Sequence, residues 1–474
     1  MKNTLSRFIV PCALASLLGG CATFQPKPLV PAQTASAFES RSLDSTGLQE
    51  FLRQNLAQDV SSRPPKSWDL TLLTLAAFYY SPDLDVARSR LSVAEAGNLT
   101  AGMKPNPVLD AFGQRNDPSY GFPRTWGLFL NIPVETASKR RYRINQTQHL
   151  SEAARWELAG SAWQVYSRVH TGLVDLYAAH ERLISLKGQE ALLSEIAGLL
   201  DRRFQVGEVS AAEVAQARIS LQQTRLALEE VQKQAAEARI KLAVAIGVPA
   251  TGLMGVEISF DGLGNLPGSD QLPPSDVRRE ALLNRTDVLS SLAEYEASQS
   301  ALQLAIAKQY PDLTLGPGYQ WDQGENKWSL GLLSLTLPLL NRNEGPIAEA
   351  EARRMQAAAS FMALQAKVID DLDLALAAYS AASHKLLIAE QLVTEQERRK
   401  ASLEARFRAG ETDRLTLAEG AFELLSASRA RLDTLIQGQQ FLGALEDAIQ
   451  RPLAPNHSFP AISTANPRKV ETRQ

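Results

Sequence analysis

Arg203–Pro249 reads RFQVGEVSAAEVAQARISLQQTRLALEEVQKQAAEARIKLAVAIGVP, and Arg406–Pro452 reads RFRAGETDRLTLAEGAFELLSASRARLDTLIQGQQFLGALEDAIQRP. Aligned on Phe204 and Phe407 they lie 407 − 204 = 203 residues apart. At that offset Arg203/Arg406, Gly207/Gly410, Glu208/Glu411, Ala215/Ala418, Leu221/Leu424 and Pro249/Pro452 coincide without a gap. A repeat of this length means one supersecondary unit used twice. Each copy is a turn followed by a long helix: Gly207 and Gly410 supply the break, and Ser210 and Asp413 are its N-caps. Val214, Leu221, Leu228, Ala235 and Leu242, with Ala217, Thr224, Val231, Ala238 and Ala245 between them, form a coiled-coil seam. Leu417, Leu424, Leu435, Leu442, Leu445 and Ile449 keep a looser one. Taken alone, these stretches fit a pair of structural coiled-coil hairpins equally well.

The rest of the chain narrows the choice. It has 474 residues and a net charge of −3, and this near-neutral balance gives no hint of nucleic acid, which would call for a basic face. Cys12 and Cys21 both lie at the N-terminus, which leaves no disulfide framework or cysteine metal site for the body. The five histidines are scattered, and there is no phosphate loop or nucleophile elbow. No enzyme activity, cofactor or metal is expected.

Residues 1–20 read as a signal peptide: Lys2 and Arg7, the apolar Phe8–Leu18, then small residues. Leu18-Gly19-Gly20-Cys21 resembles the bacterial lipobox, in which the cysteine is acylated; an ordinary cleaved signal is the alternative. Removal of the signal takes the charge to −3 − 2 = −5. Residues 21–66 read as an irregular lipidated tether, with Pro26, Pro28 and Pro31 holding it extended.

The first structural repeat spans 67–249. Leu70–Tyr80 is apolar and helical in pattern, and Ser81-Pro82-Asp83 starts a second helix to about Gly102. Then the period changes to two. Val108, Asp110, Phe112 and Gln114 alternate with Leu109, Ala111 and Gly113; after a turn at 116–123, Trp126, Leu128, Leu130 and Ile132 alternate with Gly127, Phe129 and Asn131. This predicts a β-hairpin over 107–133. The second repeat, 275–452, does the same: a helix over Asp287–Lys308, a hairpin over 312–338, and Leu333, Leu335 and Leu337 opposite Ser334 and Thr336. Three of six tryptophans, Trp126, Trp321 and Trp328, fall in these hairpins. Strands of about ten residues with aromatic ends and an apolar-out alternation fit a transmembrane β-barrel; a soluble hairpin packed on a core is the alternative. No other stretch is long and apolar enough to span a bilayer as a helix.

After each hairpin proline disappears, between Pro133 and Pro249 and between Pro346 and Pro452, in a chain with 24 prolines. Long helical hairpins are therefore predicted over 136–248 and 344–451. A Gly/Pro-rich linker, 250–274, joins the repeats, and 453–474 reads as a disordered tail. Four strands cannot close a barrel, and an open sheet in lipid leaves unpaired backbone groups at several kcal/mol each. The chain must oligomerise: two copies give eight strands, three give twelve, four give sixteen.

This order of elements resembles the TolC family of outer-membrane efflux channels, from about Leu70 to Pro452. The resemblance rests on Ser81-Pro82-Asp83-Leu84, the strand-end prolines Pro133 and Pro338, and the doubled Phe-x-x-Gly-Glu turns. It implies a mainly α fold with a transmembrane β-barrel: a homotrimer whose twelve strands form one barrel in the outer membrane, above a long periplasmic α-helical coiled-coil barrel. Pro133-Val134-Glu135-Thr136-Ala137-Ser138-Lys139-Arg140 is similar to the Pro-x-Glu-Thr-x-Gly-Lys-Arg signature of the heavy-metal subgroup, with Ser138 where that signature has glycine. That subgroup works with an inner-membrane RND-type (resistance-nodulation-division) pump and a periplasmic adaptor, or membrane fusion, protein. Lys139, Arg140, Arg141 and Arg143 read more simply as a basic collar at the membrane surface.

The family narrows its tip with acidic side chains just past the glycine break. Glu213 and Glu419 match two such positions, and Thr416 stands where another acidic residue is common. Arg203 and Arg406 would pair with these carboxylates or face the adaptor. The simpler reading of Glu213 and Glu419 is a solvated coiled-coil face. The function implied is a passive trimeric duct for metal ions or small toxic compounds. A duct for type I protein secretion and a non-conducting periplasmic coiled coil are the alternatives.

Overall fold

A computed structural model describes residues 22–56, 66–115, 124–268, 274–453, 459–460 and 467. The signal peptide, Cys21, the first hairpin's turn at 116–123 and most of the tail lie outside the described residues. The chain divides into two units at Arg41/Ser42. The first holds helix α1 (Pro31–Glu39), which begins on its proline and buries no side chain.

The second unit begins with α2 (Thr46–Asn55), which the tether reading of 21–66 did not anticipate. The prolines stiffen only 26–31. From Ser42 onward, Leu43, Leu48 and Leu52 are fully buried, and Ser45 caps the helix by accepting from the Leu48 N–H. The Tyr80 hydroxyl donates to the Ser42 carbonyl at 2.7 Å, tying the segment to the first repeat.

In the first repeat come α3 (Leu70–Tyr80), α4 (Pro82–Gly102), β1 (Val108–Arg115), β2 (Arg124–Val134), α5 (Lys139–Gln205) and α6 (Ala211–Ile246). The second repeats the order with α7 (Pro274–Asn284), α8 (Thr286–Ala307), β3 (Leu313–Asp322), β4 (Glu325–Leu335), α9 (Glu344–Arg408) and α10 (Arg414–Ile449). The 67 residues of α5 span roughly 100 Å at about 1.5 Å per residue. Along its first part α5 meets α4 and α8, through Asn98 to Ser151 and Ser290 to the Ala153 carbonyl. Further on it meets α6 and α10, through Arg225 to Glu190 and Arg182 to Asp433. No helix among the described residues is long and apolar enough to cross a membrane.

The four strands form one antiparallel sheet in the order β1-β2-β3-β4. The β2–β3 pairing joins the two repeats, with Trp126 opposite Trp321 and Ile132 opposite Leu315. β1 and β4 are left as edges.

Within each repeat the returning helix meets the start of a shorter one. Gly247 closes α6 with φ +87°, and a Cβ there would lie 3.0 Å from the Tyr80 carbonyl oxygen. At the end of α10, Gln450 accepts from both the N–H and hydroxyl of Thr286, and Arg285 donates to the Ala448 carbonyl at 2.7 Å. The largest core surrounds the first junction, where Phe78, Leu84, Tyr166, Leu173 and Leu242 are all 2% exposed or less. Phe459 packs on Phe78, Trp163 and Tyr166, and Leu453 on the second core. The polar composition after residue 453 suggested a free tail; one large aromatic is enough to hold part of it down.

Candidate channel wall and tip

Strand register sorts the side chains into two faces. One carries Leu109, Leu128, Leu130, Ile132, Leu313, Leu315, Leu330 and Leu332, with Trp126, Tyr319, Trp321 and Trp328 toward the end far from the helices. Tyr319 sits between two of those indoles, ring centroids 5.3 Å from Trp126 and 4.7 Å from Trp328. The other face carries Asp110, Gln114, Asn131, Thr125, Gln320, Asp322, Lys327 and Ser329. On it Asn131 donates to Asp110, and Thr125 donates to Asp322 at 2.9 Å. The first face also carries the facing pair Arg115 and Arg124, but at the strand ends beside the turn. Between there and the helices it holds no charge, and charges cannot face lipid cheaply, so the first face is the lipid wall and the second the lumen.

Where strand meets helix, the basic residues do other work than a membrane collar. Arg140 donates twice to the Gly102 carbonyl, and Arg143 donates to Ala101 while pairing with Glu135 at 2.7 Å. Both cap the C-terminus of α4, where orphan carbonyls need donors. Lys139 Nζ reaches Asp312 at 2.7 Å and the Tyr310 carbonyl. Burial opposes ionisation of Asp312, but the bonds from Lys139 and the Thr136 N–H outweigh it and hold the carboxyl below its ordinary value. Of the four, only Arg141 is exposed. Ser138 has φ +61°, and its counterpart before α9, Asn343, has φ +63°. This left-handed position is the physical reason for a glycine in the related signature; a serine there costs about 1 kcal/mol.

At the opposite end, the two repeats make the same turn. The Gly207 and Gly410 N–H groups donate to Phe204 and Phe407, and those of Glu208 and Glu411 to Arg203 and Arg406, all within 3.0 Å. The φ angles are +79° and +75°. This is the glycine helix end of the Schellman type. Ser210 and Asp413 then accept from the Glu213 and Thr416 N–H groups as N-caps. Replacing Gly207 or Gly410 with valine should cost about 1–3 kcal/mol of local strain, with no steric clash since the space is open. Hydrogen exchange at the tip amides reads this; unchanged protection in both variants would contradict the turn.

The charged residues of the tip separate into distinct roles. Glu213 completes a capping box, its carboxylate accepting from the Ser210 N–H at 3.2 Å. Arg203 pairs neither with it nor with Glu419 directly, but reaches across to Asp413 at 2.5 Å. Arg414 reaches back to Glu195 at 2.5 Å, so two ion pairs fasten α5 to α10. The bond from the Thr416 N–H, then that from Arg203, draws the Asp413 carboxyl down to about 2. Stability from this depressed group is present above its unfolded value and is lost only as pH falls through about 2. Glu419 moves the other way: partial burial, then Asp413 and Glu423, push it up. Arg406 lies 3.8 Å from Glu411 of its own turn, both exposed. The Arg203–Asp413 and Arg414–Glu195 pairs join residues more than 200 positions apart, and no local spacing announces them; that Asp413 doubles as cap and partner is the one hint.

The model of the family described as outer membrane efflux protein matches residues 77–248 and 277–449. The cobalt-zinc-cadmium resistance protein CzcC of Cupriavidus metallidurans is 27% identical over 269 residues, covering 56% of this chain and 62% of that protein. The pyoverdine export outer membrane protein OpmQ of Pseudomonas aeruginosa is 27% identical over 321 residues, covering 63% and 64%. The chain thus spans just under two thirds of the length of these curated relatives. The crystal structure of the outer membrane protein VceC from Vibrio cholerae superimposes with a TM-score of 0.63 at 20% identity, covering 80% of this chain and 95% of that one.

Proposed function

Because the chain belongs to the outer membrane efflux protein family, we propose that it is the exit duct of a tripartite efflux assembly. Three copies close one barrel of 3 × 4 = 12 strands, β4 of each pairing with β1 of the next. A periplasmic adaptor and an inner-membrane pump supply cargo and energy. The observation that carries this reading is the sheet itself: an apolar outer face, a polar inner face, and two edges with no partner strand among the described residues. Exposed apolar side chains on α4 (Val86, Val93, Leu99) and α9 (Met355, Met362, Leu374) are the flanks that neighbouring copies cover. Metal ions are the favoured cargo, supported by the Pro133–Arg140 pattern and the likeness to CzcC. Small toxic compounds remain within the same reading. Acylated Cys21 anchors the N-terminus; mass spectrometry finding that cysteine unmodified would contradict this part.

Glu419 is proposed as the gate residue, three copies facing one another around the axis. Such a ring in a narrow pore attracts cations and resists closure. Reversal potentials across a salt gradient in planar bilayers test it. The wild type should be cation-selective, Glu419→Gln less so, and addition of Glu213→Gln should lower selectivity by a further, smaller step. Because Glu419 is shifted upward, wild-type selectivity should begin to fall on acidification above the ordinary glutamate range, while the Arg203–Asp413 pair persists. Equal reversal potentials in the wild type and double variant would make these carboxylates ordinary solvated side chains.

A further inference from the structure

A barrel of eight strands is filled by its own side chains, whereas one of sixteen leaves an aqueous channel. Twelve lies between, so the clear width depends on how the large inward side chains lie. Among the described strand residues the inward face carries two aromatics, Phe112 of β1 and Phe129 of β2. It also carries Gly127, Gly316, Gly318 and Gly331. The two rings stack on each other, centroids 5.9 Å apart and planes within 19°.

Each ring also lies over a glycine of the next strand. Phe112 is directly opposite Gly127, and Phe129 directly opposite Gly318. A Cβ built on Gly127 would fall 2.6 Å from Phe112 Cε1, and one on Gly318 would fall 2.5 Å from Phe129 Cδ1. Real Cβ atoms do not come that close, so another residue at 127 displaces the Phe112 ring, and one at 318 displaces the Phe129 ring along with the Ser329 hydroxyl, which would lie 2.6 Å away. A Cβ on this face projects from the sheet toward the ring, so it lifts the ring away from the sheet, toward the lumen. Aromatic cover of a strand glycine is a known stabilising device; here it also decides how far the ring projects.

We propose that the Phe112–Gly127 and Phe129–Gly318 pairs set the clear bore of the barrel. The glycines keep the rings flat against the wall, and the rings fix the size limit for solutes leaving through it. The proposal rests on the duct reading above. It assigns a specificity role to four residues of the barrel, distinct from the tip.

Neutral polyethylene glycols of graded size, added only on the barrel side of single channels in planar bilayers, measure the bore as the smallest polymer excluded. Gly127→Ala/Gly318→Ala should lower that cutoff, and Phe112→Ala/Phe129→Ala should raise it, each by about 3 Å in radius, the thickness of one ring. Phe112→Leu/Phe129→Leu keeps apolar cover on the glycines and should raise the cutoff by a smaller step, so the result does not depend on the alanine variants folding. A wild type that never conducts would overturn the duct reading and this proposal with it. Conducting channels with one cutoff across wild type and variants would overturn the bore assignment alone.

Discussion

Leu330→Arg should prevent the protein from inserting into a bilayer, whereas Ser329→Arg, one residue away, should leave insertion intact. Leu330 is near the centre of β4, opposite Pro317, on the face with Trp328 and Leu332, and is 84% exposed in the single chain. An arginine at the bilayer midplane on the lipid face of a barrel costs about 2–4 kcal/mol. Per chain that is roughly a 30- to 900-fold loss in the folding equilibrium, and closure multiplies it over every copy. Ser329 points to the polar face, where a charge meets water. Folding into lipid vesicles, read as the fraction running at the folded position in a cold gel, separates the two. Equal loss in both variants would mean that the faces have been assigned wrongly.

Arg285→Ala should be strongly destabilising, on the scale of emptying a core position. Arg285 is buried, and all three nitrogens of its guanidinium donate hydrogen bonds. It donates to Ala448 at 2.7 Å and grips Asp287 through Nε and Nη2 at 3.0 and 2.7 Å. One side chain thus closes the C-terminus of α10, starts α8, and splices the two. Nearby, Trp163 and Ser167 both donate to Asp447 at 2.8 Å, so the same junction is tied to α5. Removing a buried partner leaves carbonyls and a carboxylate unsatisfied, at about 2–4 kcal/mol here because Asp287 is partly exposed. Arg285→Lys should recover only part, having no planar fork.

The pH dependence of this loss has a defined sign. Burial raises the Asp287 carboxyl, but bonds from Arg285 and from the helix N–H groups bring it below its ordinary value. Its contribution is therefore present above the unfolded value and lost as pH falls through the folded one. The gap between wild type and Arg285→Ala should narrow as pH falls below about 4. Thermal midpoints in detergent across pH 3–8 measure it; a gap that widens on acidification would mean that the ion pair contributes nothing.

Much of this architecture is legible in the sequence because it is written in period. The 203-residue repeat, the change from helical to two-residue alternation at Val108 and Leu313, and the proline-free stretches all report local backbone state. The glycines of the two turns are legible for the same reason: a left-handed φ is a local demand. What escapes is whatever depends on distant partners. Lys139, Arg140 and Arg143 look like a collar until Asp312, Gly102 and Ala101 are placed beside them. Arg203 looks free to meet Glu419 until Asp413 is found 2.5 Å away. α2 and Phe459 sit in stretches of weak pattern, where a few buried side chains override a polar composition.

A sheet with two open edges is completed by other copies of the same chain. Native mass spectrometry of the detergent-solubilised protein tests it most directly. One species at three times the mass of the mature chain is expected, resistant to dilution because each seam adds a β4–β1 ladder as well as helix contacts. A stable, folded monomer would contradict it, since four strands with unpaired edges could not then be the wall of a channel.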